Sequence, residues 1–171
     1  EKVSNTNIAS VTRHEFGNPD KAFEEAENVV EKTFTLQMVH QGYIEPHNAT
    51  AHWDEDDRIK VWTSTQGAFP VRTSTAAILD MDVSRIKVTP LEIGGGFGGK
   101  IPVYLEPVVS ILSKKSGRPV KAIMERSNVF QASGPAPGGT ITVKMGTDKD
   151  ANIIAAETSI KLEAGGFPGA A

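Results

Sequence analysis

An α+β fold is what this sequence predicts: a mixed, largely antiparallel sheet with hairpins and two to three packed helices. Three observations carry that expectation. Residues 49–65 and 139–165 each read as strand, polar turn, strand. Residues 18–30, 69–83 and 104–118 place apolar side chains at three-to-four spacing. Helical and strand patterns interleave along the chain, and the hairpins exclude a purely parallel sheet.

The elements follow in order. "NPDKAFEEAENVV" (18–30) is a helix that Asn18 or Asp20 can cap, with Ala22, Phe23, Ala26 and Val29 on its apolar face. "VVEKTFTLQMVH" (29–40) is rich in β-formers and predicts a strand. "ATAHWD" and "IKVWTST" flank the acidic turn "EDDR" and predict a hairpin. A helix then starts near Pro70, with Val71, Thr75, Ile78 and Leu79 inward, and "RIKVTPLEI" (85–93) is a strand. "YLEPVVSILSKKSGR" (104–118) predicts a helix with Pro102 in its first turn, Val103, Pro107, Val108, Ile111 and Leu112 as its apolar positions, and Gly117 at its end. Pro107 fits there only near the start or at a kink. "RPVKAIME" is a strand, and the last two strands are joined by "DKDAN".

At 171 residues the chain suffices for one domain with a sizeable core, or for two small lobes. Its 16 glycines and 10 prolines predict a loop-rich fold. A net charge of −3 argues against nucleic acid as the main partner. The charge is uneven, because residues 1–60 carry 12 acids and 6 bases while residues 61–171 carry 9 acids and 12 bases. With no cysteine, the chain has no disulfide, no thiolate nucleophile and no cysteine-held iron–sulfur cluster of its own. No apolar run approaches the roughly 20 residues of a membrane helix, and "EKVSNTNIAS" is not a signal peptide. The first residue is not methionine and the last are "EAGGFPGAA", so the chain reads as a piece of a longer polypeptide.

The most unusual stretch is "LEIGGGFGGKIPVY" (91–104), with five glycines in six positions. Gly94, Gly96 and Gly99 spell G-x-G-x-x-G, while Gly94, Gly99 and Lys100 spell G-x-x-x-x-G-K, so two nucleotide-binding patterns are met at once. Both use glycine because it takes positive φ and lets a bulky anion approach the backbone. A helix directly after the loop would add free N–H groups. The magnesium-nucleotide reading fails at Ile101, where a serine or threonine should hold the metal. The dinucleotide reading keeps Glu125, near the end of the next strand, as its acidic residue, but flanking hairpins are foreign to that fold.

Other candidates are more diffuse. His40, Glu45, His47 and His52 suggest a metal site, yet Glu45-Pro46 interrupts regular structure, and five positions put His47 and His52 on opposite faces of an extended chain. Glu45 reads as a partly buried carboxylate, whose plainer role is to bridge backbone groups in a turn. Gln66 sits between a strand end and a helix start, where an amide can donate to a ligand oxygen or simply satisfy turn backbone. Thr63, Ser64 and Thr65 have no histidine–aspartate partners, which leaves a serine hydrolase unsupported.

Taken together, "YIEPHNATAHW" (43–53), "VWTSTQGAF" (61–69), "EIGGGFGGK" (92–100), "SGRPVKAIMER" (116–126) and "GTDKDANIIA" (146–155) resemble the molybdopterin-binding region of the molybdenum hydroxylase large subunit. That is the xanthine dehydrogenase, aldehyde oxidase and carbon monoxide dehydrogenase family. The resemblance covers nearly the whole chain, from about Gly17. It implies that residues 1–171 are a single fragment of a cofactor-binding domain, cut from a longer large subunit. It also implies a molybdenum–molybdopterin cofactor, plain or extended to the cytosine dinucleotide, whose metal is held by the pterin dithiolene and not by side chains. Gln66 would lie beside the metal's oxo ligand, and Gly95, Gly96, Phe97 and Gly98 would pass over metal and cofactor, with Gln66 and Phe97 as the catalytic pair. The implied reaction is hydroxylation of an aldehyde, N-heterocycle or carbon monoxide-like substrate with oxygen from water. Electrons would leave through iron–sulfur clusters and FAD on partner subunits or domains, in a cytoplasmic dimer of heterotrimers. Two departures stand out: Ile101 occupies the place of a substrate-binding glutamate in xanthine-oxidising members, and Ala136-Pro137 replaces a common Arg-His. The family's general base and later cofactor loops match nothing in this chain, so the fragment alone is expected to be inactive.

Overall fold

The computed structural model describes residues 6–166; the extreme ends of the chain, including most of the expected C-terminal glycine turn, lie outside them. The described residues fall into two compact units, one built from the two chain ends and the other from His40–Ala136.

The terminal unit contains helix α1 (Pro19–Glu24) and strand β1 (Asn28–Leu36). With β6 (Gly139–Thr147) and β7 (Ile153–Leu162), β1 forms an antiparallel sheet in the order β1-β6-β7. Asn18 caps α1 by accepting the Lys21 N–H at 3.1 Å. The helix is shorter than expected, and Val29 belongs to β1 opposite Gly146. The β-branched run after Asn28 gains a full ladder by pairing with β6, which outweighs the weak helical preference of Glu25–Asn28. Gly146 leaves room for α1 to pack, since a Cβ there would lie 3.0 Å from the Ala26 Cβ and 3.2 Å from the Phe23 ring.

The central unit holds β2 (Asn48–Trp53), β3 (Ile59–Thr63), α2 (Ala68–Leu79), β4 (Ile86–Pro90), α3 (Glu106–Ser116), β5 (Val120–Ile123) and α4 (Arg126–Ala132). Its sheet runs β4-β3-β2-β5; β3 and β4 are parallel, and β2 is antiparallel to both β3 and β5. The α+β expectation with a mixed sheet therefore holds, and α4 is a short helix that the sequence reading lacked. Alternation on β2 and β3 turns Ala49, Ala51, Trp53, Ile59 and Val61 into the core, where Ile86, Ala76 and Val109 join them.

Both long helices differ from expectation in their inward faces. In α2, Val71 and Thr75 are buried as expected, Ala76 joins them, and Ile78 points to solvent. In α3, Val108, Ile111 and Leu112 are exposed, and the buried face is Glu106, Pro107, Val109, Ser110 and Ser113. Pro102 precedes the helix, and Pro107 takes the first turn, where its missing N–H costs nothing. The hydroxyls on this face meet backbone: Ser110 donates to the Glu106 carbonyl at 2.7 Å, and Ser113 donates to the Arg118 carbonyl at 2.7 Å. Ser113 Oγ also accepts the Trp53 N–H at 2.9 Å, which ties α3 to β2.

The strand directions matter for function. Strands β3, β4 and β5 all end, and β2 begins, at one edge of this sheet. Ser64–Gln66, the glycine loop, Met124–Arg126 and Tyr43–His47 are gathered there as a result. Because Ser113 serves two backbone groups while fully buried, Ser113→Ala should destabilise the protein by about 1–3 kcal/mol, read by urea denaturation. A cost near zero would mean that these groups find other partners.

Candidate functional site

The site is organised around Glu45, just ahead of β2. Its Oε2 accepts from Lys100 Nζ at 2.7 Å, Ser64 Oγ at 2.6 Å and the Gly94 N–H at 2.8 Å, while Oε1 accepts from Asn48 Nδ2 at 3.0 Å. Burial alone would raise this carboxyl's pKa; the bonds from Lys100, Ser64, Gly94 and Asn48 outweigh it and hold Glu45 at about 2. Glu45 thus bridges backbone, as its plainer reading expected, and also carries an ion pair with no local sequence signal. Lys100 is 1% exposed, its ammonium also donates to Ser64 Oγ at 2.8 Å, and it lies 5.1 Å from the centre of the Tyr43 ring.

Gln66 leaves the end of β3 and faces the glycine loop. Its Oε1 accepts the N–H groups of Gly98 at 3.0 Å and Lys100 at 3.2 Å. Two N–H donors require the amide oxygen on that side, so the Nε2 amino group points away, exposed and without a partner among the described residues. The glycines are needed where the loop touches this frame. A Cβ at Gly96 would fall 2.5 Å from Gln66 Oε1, one at Gly94 would fall 2.6 Å from the Glu45 Cβ, and one at Gly99 would fall 2.7 Å from the Tyr43 ring. Phe97 has φ 51° and is 71% exposed. That left-handed backbone costs a non-glycine residue about 1–2 kcal/mol, and such outliers concentrate at functional sites. The N–H groups of Gly95, Gly96 and Phe97 have no partner among the described residues.

Behind the loop lies a chain of polar rings. Gly42 N–H donates to His40 Nδ1 at 3.0 Å, which leaves the His40 proton on Nε2, facing Ser133 Oγ at 3.1 Å. Tyr43 donates to the same oxygen at 3.2 Å, and the Ser133 hydroxyl itself donates to the Val129 carbonyl. His47 Nε2, 2.7 Å from the Tyr43 hydroxyl, is therefore the donor there. Burial, then the charge of Lys100, hold His47 down at about 4, and burial followed by Arg126 lowers His40. Sequence reasoning missed this chain because Ser133 is 90 residues from Tyr43.

One expectation is corrected, and the weaker alternatives lose their support. The glycine loop is not at a helix N-terminus, since α3 begins only at Glu106. Lys100 cannot reach a phosphate, because its ammonium is enclosed. Strands β4 and β5 lie at opposite edges of the sheet, whereas a dinucleotide unit needs them adjacent. Glu125 stands at the N-terminus of α4. Among the described residues no three His, Asp or Glu side chains form a metal-ligand group.

This geometry leaves an edge of unpaired backbone and amide N–H groups that can donate to oxygens of a polar ligand. The chain matches the molybdopterin cofactor-binding domain family over residues 1–170 and belongs to that family. It is similar to the nicotinate dehydrogenase large molybdopterin subunit of Eubacterium barkeri, 28% identical over 95% of this chain and 38% of that protein. It is also similar to the nicotine 6-hydroxylase large subunit of Paenarthrobacter nicotinovorans, 29% identical over 94% of this chain and 20% of that protein. Among solved structures, reconstituted CO dehydrogenase from Oligotropha carboxidovorans superposes with a TM-score of 0.63 and 28% identity, over 83% of this chain and 18% of that one. The chain thus spans well under half the length of these relatives. Among the described residues, no helix is long and apolar enough to cross a membrane.

The cofactor fits the residues present. Three unpaired backbone N–H groups and one free amide can meet its oxygens, and Gly96 packs so closely on Gln66 that any side chain there would displace the amide that carries the free donor. The buried neutral imidazole sets an acid limit. A folded pKa of about 4 for His47, against about 6.5 unfolded, means that its stabilisation is whole above pH ~6.5 and is lost as pH falls through the folded value. Glu45 acts lower, losing its share between about 4.3 and its folded value. In urea titrations, His47→Gln should flatten the decline of stability between pH about 6.5 and 4 and preserve the steeper loss below it. Equal slopes in variant and parent would remove His47 as the cause.

Proposed function

We propose that this chain is the first part of the molybdenum-cofactor-binding domain in the large subunit of a molybdenum hydroxylase. The observation that carries this reading is the orientation of Gln66: its oxygen is committed to Gly98 and Lys100, which frees its amino group beside the unpaired N–H groups of Gly95, Gly96 and Phe97. These are donors only. They hold cofactor oxygens without competing for the metal, and a fixed array of dipoles needs no rearrangement as charge changes.

When bound, the cofactor supplies the two-electron redox centre and the oxygen, drawn from water, that the substrate receives. Gln66 would orient an oxygen of the cofactor through Nε2, Gly95, Gly96 and Gly98 would lie against the cofactor, and the exposed Phe97 ring would face the reaction space. Lys100 and Glu45 are already paired and take no part in proton transfer. The substrate class is an aldehyde, an N-heterocycle or a carbon monoxide-like molecule; the heterocycle names of two relatives and the CO dehydrogenase likeness support that range. Ile101, in the place of a substrate-binding glutamate, argues against purines. The remaining proposals are that the pterin is plain or extended to the cytosine dinucleotide, that iron–sulfur clusters and FAD sit on partner subunits or domains in a cytoplasmic dimer of heterotrimers, and that the fragment by itself is inactive.

In the full-length protein purified with its partner subunits, stoichiometric molybdenum and released cytosine nucleotide are expected. A fully assembled protein with neither would sink the reading, and equimolar binding of ATP or NAD would replace it with a nucleotide-binding module. In the same enzyme, Gln66→Ala should lower kcat by about a hundredfold at unchanged fold. Gly96→Ala, whose new methyl would sit 2.5 Å from the Gln66 oxygen, should reduce bound molybdenum. Normal values in both variants would remove Gln66 and the loop from the site.

A further inference from the structure

The donors of the site are only as well aimed as the loop that carries them, and its middle is held through Gln66, whose Oε1 accepts the Gly98 N–H at 3.0 Å. Gly95 and Gly98 have φ of 92° and 90°, and a Cβ at Gly98 would meet nothing within 4 Å. The other attachments are at the two ends. At the first, the Gly94 N–H donates to Glu45 Oε2 at 2.8 Å and the Gly94 carbonyl accepts the Glu45 N–H at 3.1 Å. At the second, Lys100 sends its ammonium to the same Oε2 at 2.7 Å. Both ends of the loop therefore meet on one carboxylate oxygen. The backbone of Lys100 completes the frame: its carbonyl accepts the Gln66 N–H at 2.9 Å and the Thr65 hydroxyl at 3.1 Å, and its N–H donates to Gln66 Oε1 at 3.2 Å.

We infer that Lys100 and Glu45 are positioning residues, whose ion pair pins the two ends of the glycine loop together and thereby sets the reach of Gln66 and of the loop's free N–H groups. The inference rests on the site reading given above for its consequence in catalysis, but the pinning itself is independent of any ligand. A buried ammonium has few ways to be satisfied, and here Glu45, Ser64 and the face of Tyr43 supply them. If the Lys100 side chain left, a fully buried ammonium would lose its acceptors and Glu45, 30% exposed, would lose its cation, so the pair opposes any drift of the loop ends apart. Glycine supplies the conformation of the loop, and the ion pair supplies its placement.

The test uses the full-length, assembled enzyme with Lys100→Met, Glu45→Gln and the double variant. Hydrogen exchange of segment 91–104 and of Gln66 should quicken by about tenfold or more in each single variant, with the β2–β3 hairpin unchanged as internal reference. In loaded enzyme, kcat should fall while KM moves by less than about twofold. The double variant leaves no lone buried charge, so its unfolding midpoint should recover while exchange of the loop stays fast. Parent-like exchange in both single variants would overturn the inference. So would fast exchange that vanishes in the double variant as the midpoint recovers, because the pair would then contribute stability alone. If Lys100→Met fails to assemble, Glu45→Gln, which keeps the volume, decides the question. A quickened loop with unchanged molybdenum content and kcat upholds the pinning and removes the cofactor reading instead.

Discussion

A lysine ammonium with 0% of its side chain exposed, held 2.7 Å from a carboxylate, is the constraint on which the central unit's functional edge depends. Taking such charges out of water costs several kcal/mol per ion, recovered only when geometry is good and the remaining donors and lone pairs are also met. Here they are. Glu45 receives four donors, and Ser64 accepts a hydrogen bond from the ammonium while its hydroxyl donates one to Glu45. Three separate strand ends contribute, with Glu45 ahead of β2, Ser64 after β3 and Lys100 beyond β4. Local chain preference cannot produce that meeting. The sheet topology can, because it brings those ends to one edge.

The same topology explains why so much glycine is tolerated. A glycine-rich segment loses more conformational entropy on ordering than any other, so it stays ordered only if the surroundings supply enough contacts. Gly94, Gly96 and Gly99 sit where a Cβ would strike Glu45, Gln66 and Tyr43. Those three are the frame itself, so close approach and order have a common cause. Phe97 breaks the run with a bulky residue in left-handed backbone. Its ring stays exposed and buries little, so the strain is not repaid by core packing.

Much of this was legible in the sequence, in a pattern that physical reasons explain. Hairpins 49–65 and 139–165 were readable because alternation and turn composition are local, and β2–β3 and β6–β7 pair as expected. Helix faces were read less well. Hydrophobicity pointed to Val108, Ile111 and Leu112, while α3 turns Ser110 and Ser113 inward, because buried hydroxyls that find backbone partners pack as well as alkyl groups. The end of α1 was misplaced because Val29 suits a helix face and a strand equally, and only the distant partner Gly146 decides. Gln66 and the loop were marked by residue type and position, while their role toward a cofactor came only from the family resemblance. The Glu45–Lys100 pair and the Tyr43–Ser133 bond could not, since their partners are 55 and 90 residues apart.

Lys100 shows why a short pattern should be judged by what its residues can reach. In a phosphate-binding loop, the lysine after the last glycine extends outward to the ligand, and the backbone of the loop wraps the phosphates ahead of a helix. Here the matching lysine turns inward, where Glu45 and Ser64 accept from its ammonium and the face of Tyr43 lies beside it. The helix begins six residues later at Glu106, a carboxylate that donates nothing to a phosphate and itself accepts the Thr63 hydroxyl at 2.6 Å. To bind a nucleotide in that way, the chain would have to break the ion pair, strand Glu45 among its remaining donors and release the contacts that order the loop. The residues that would make the pattern a nucleotide site are the ones that order the loop against Glu45 and Ser64.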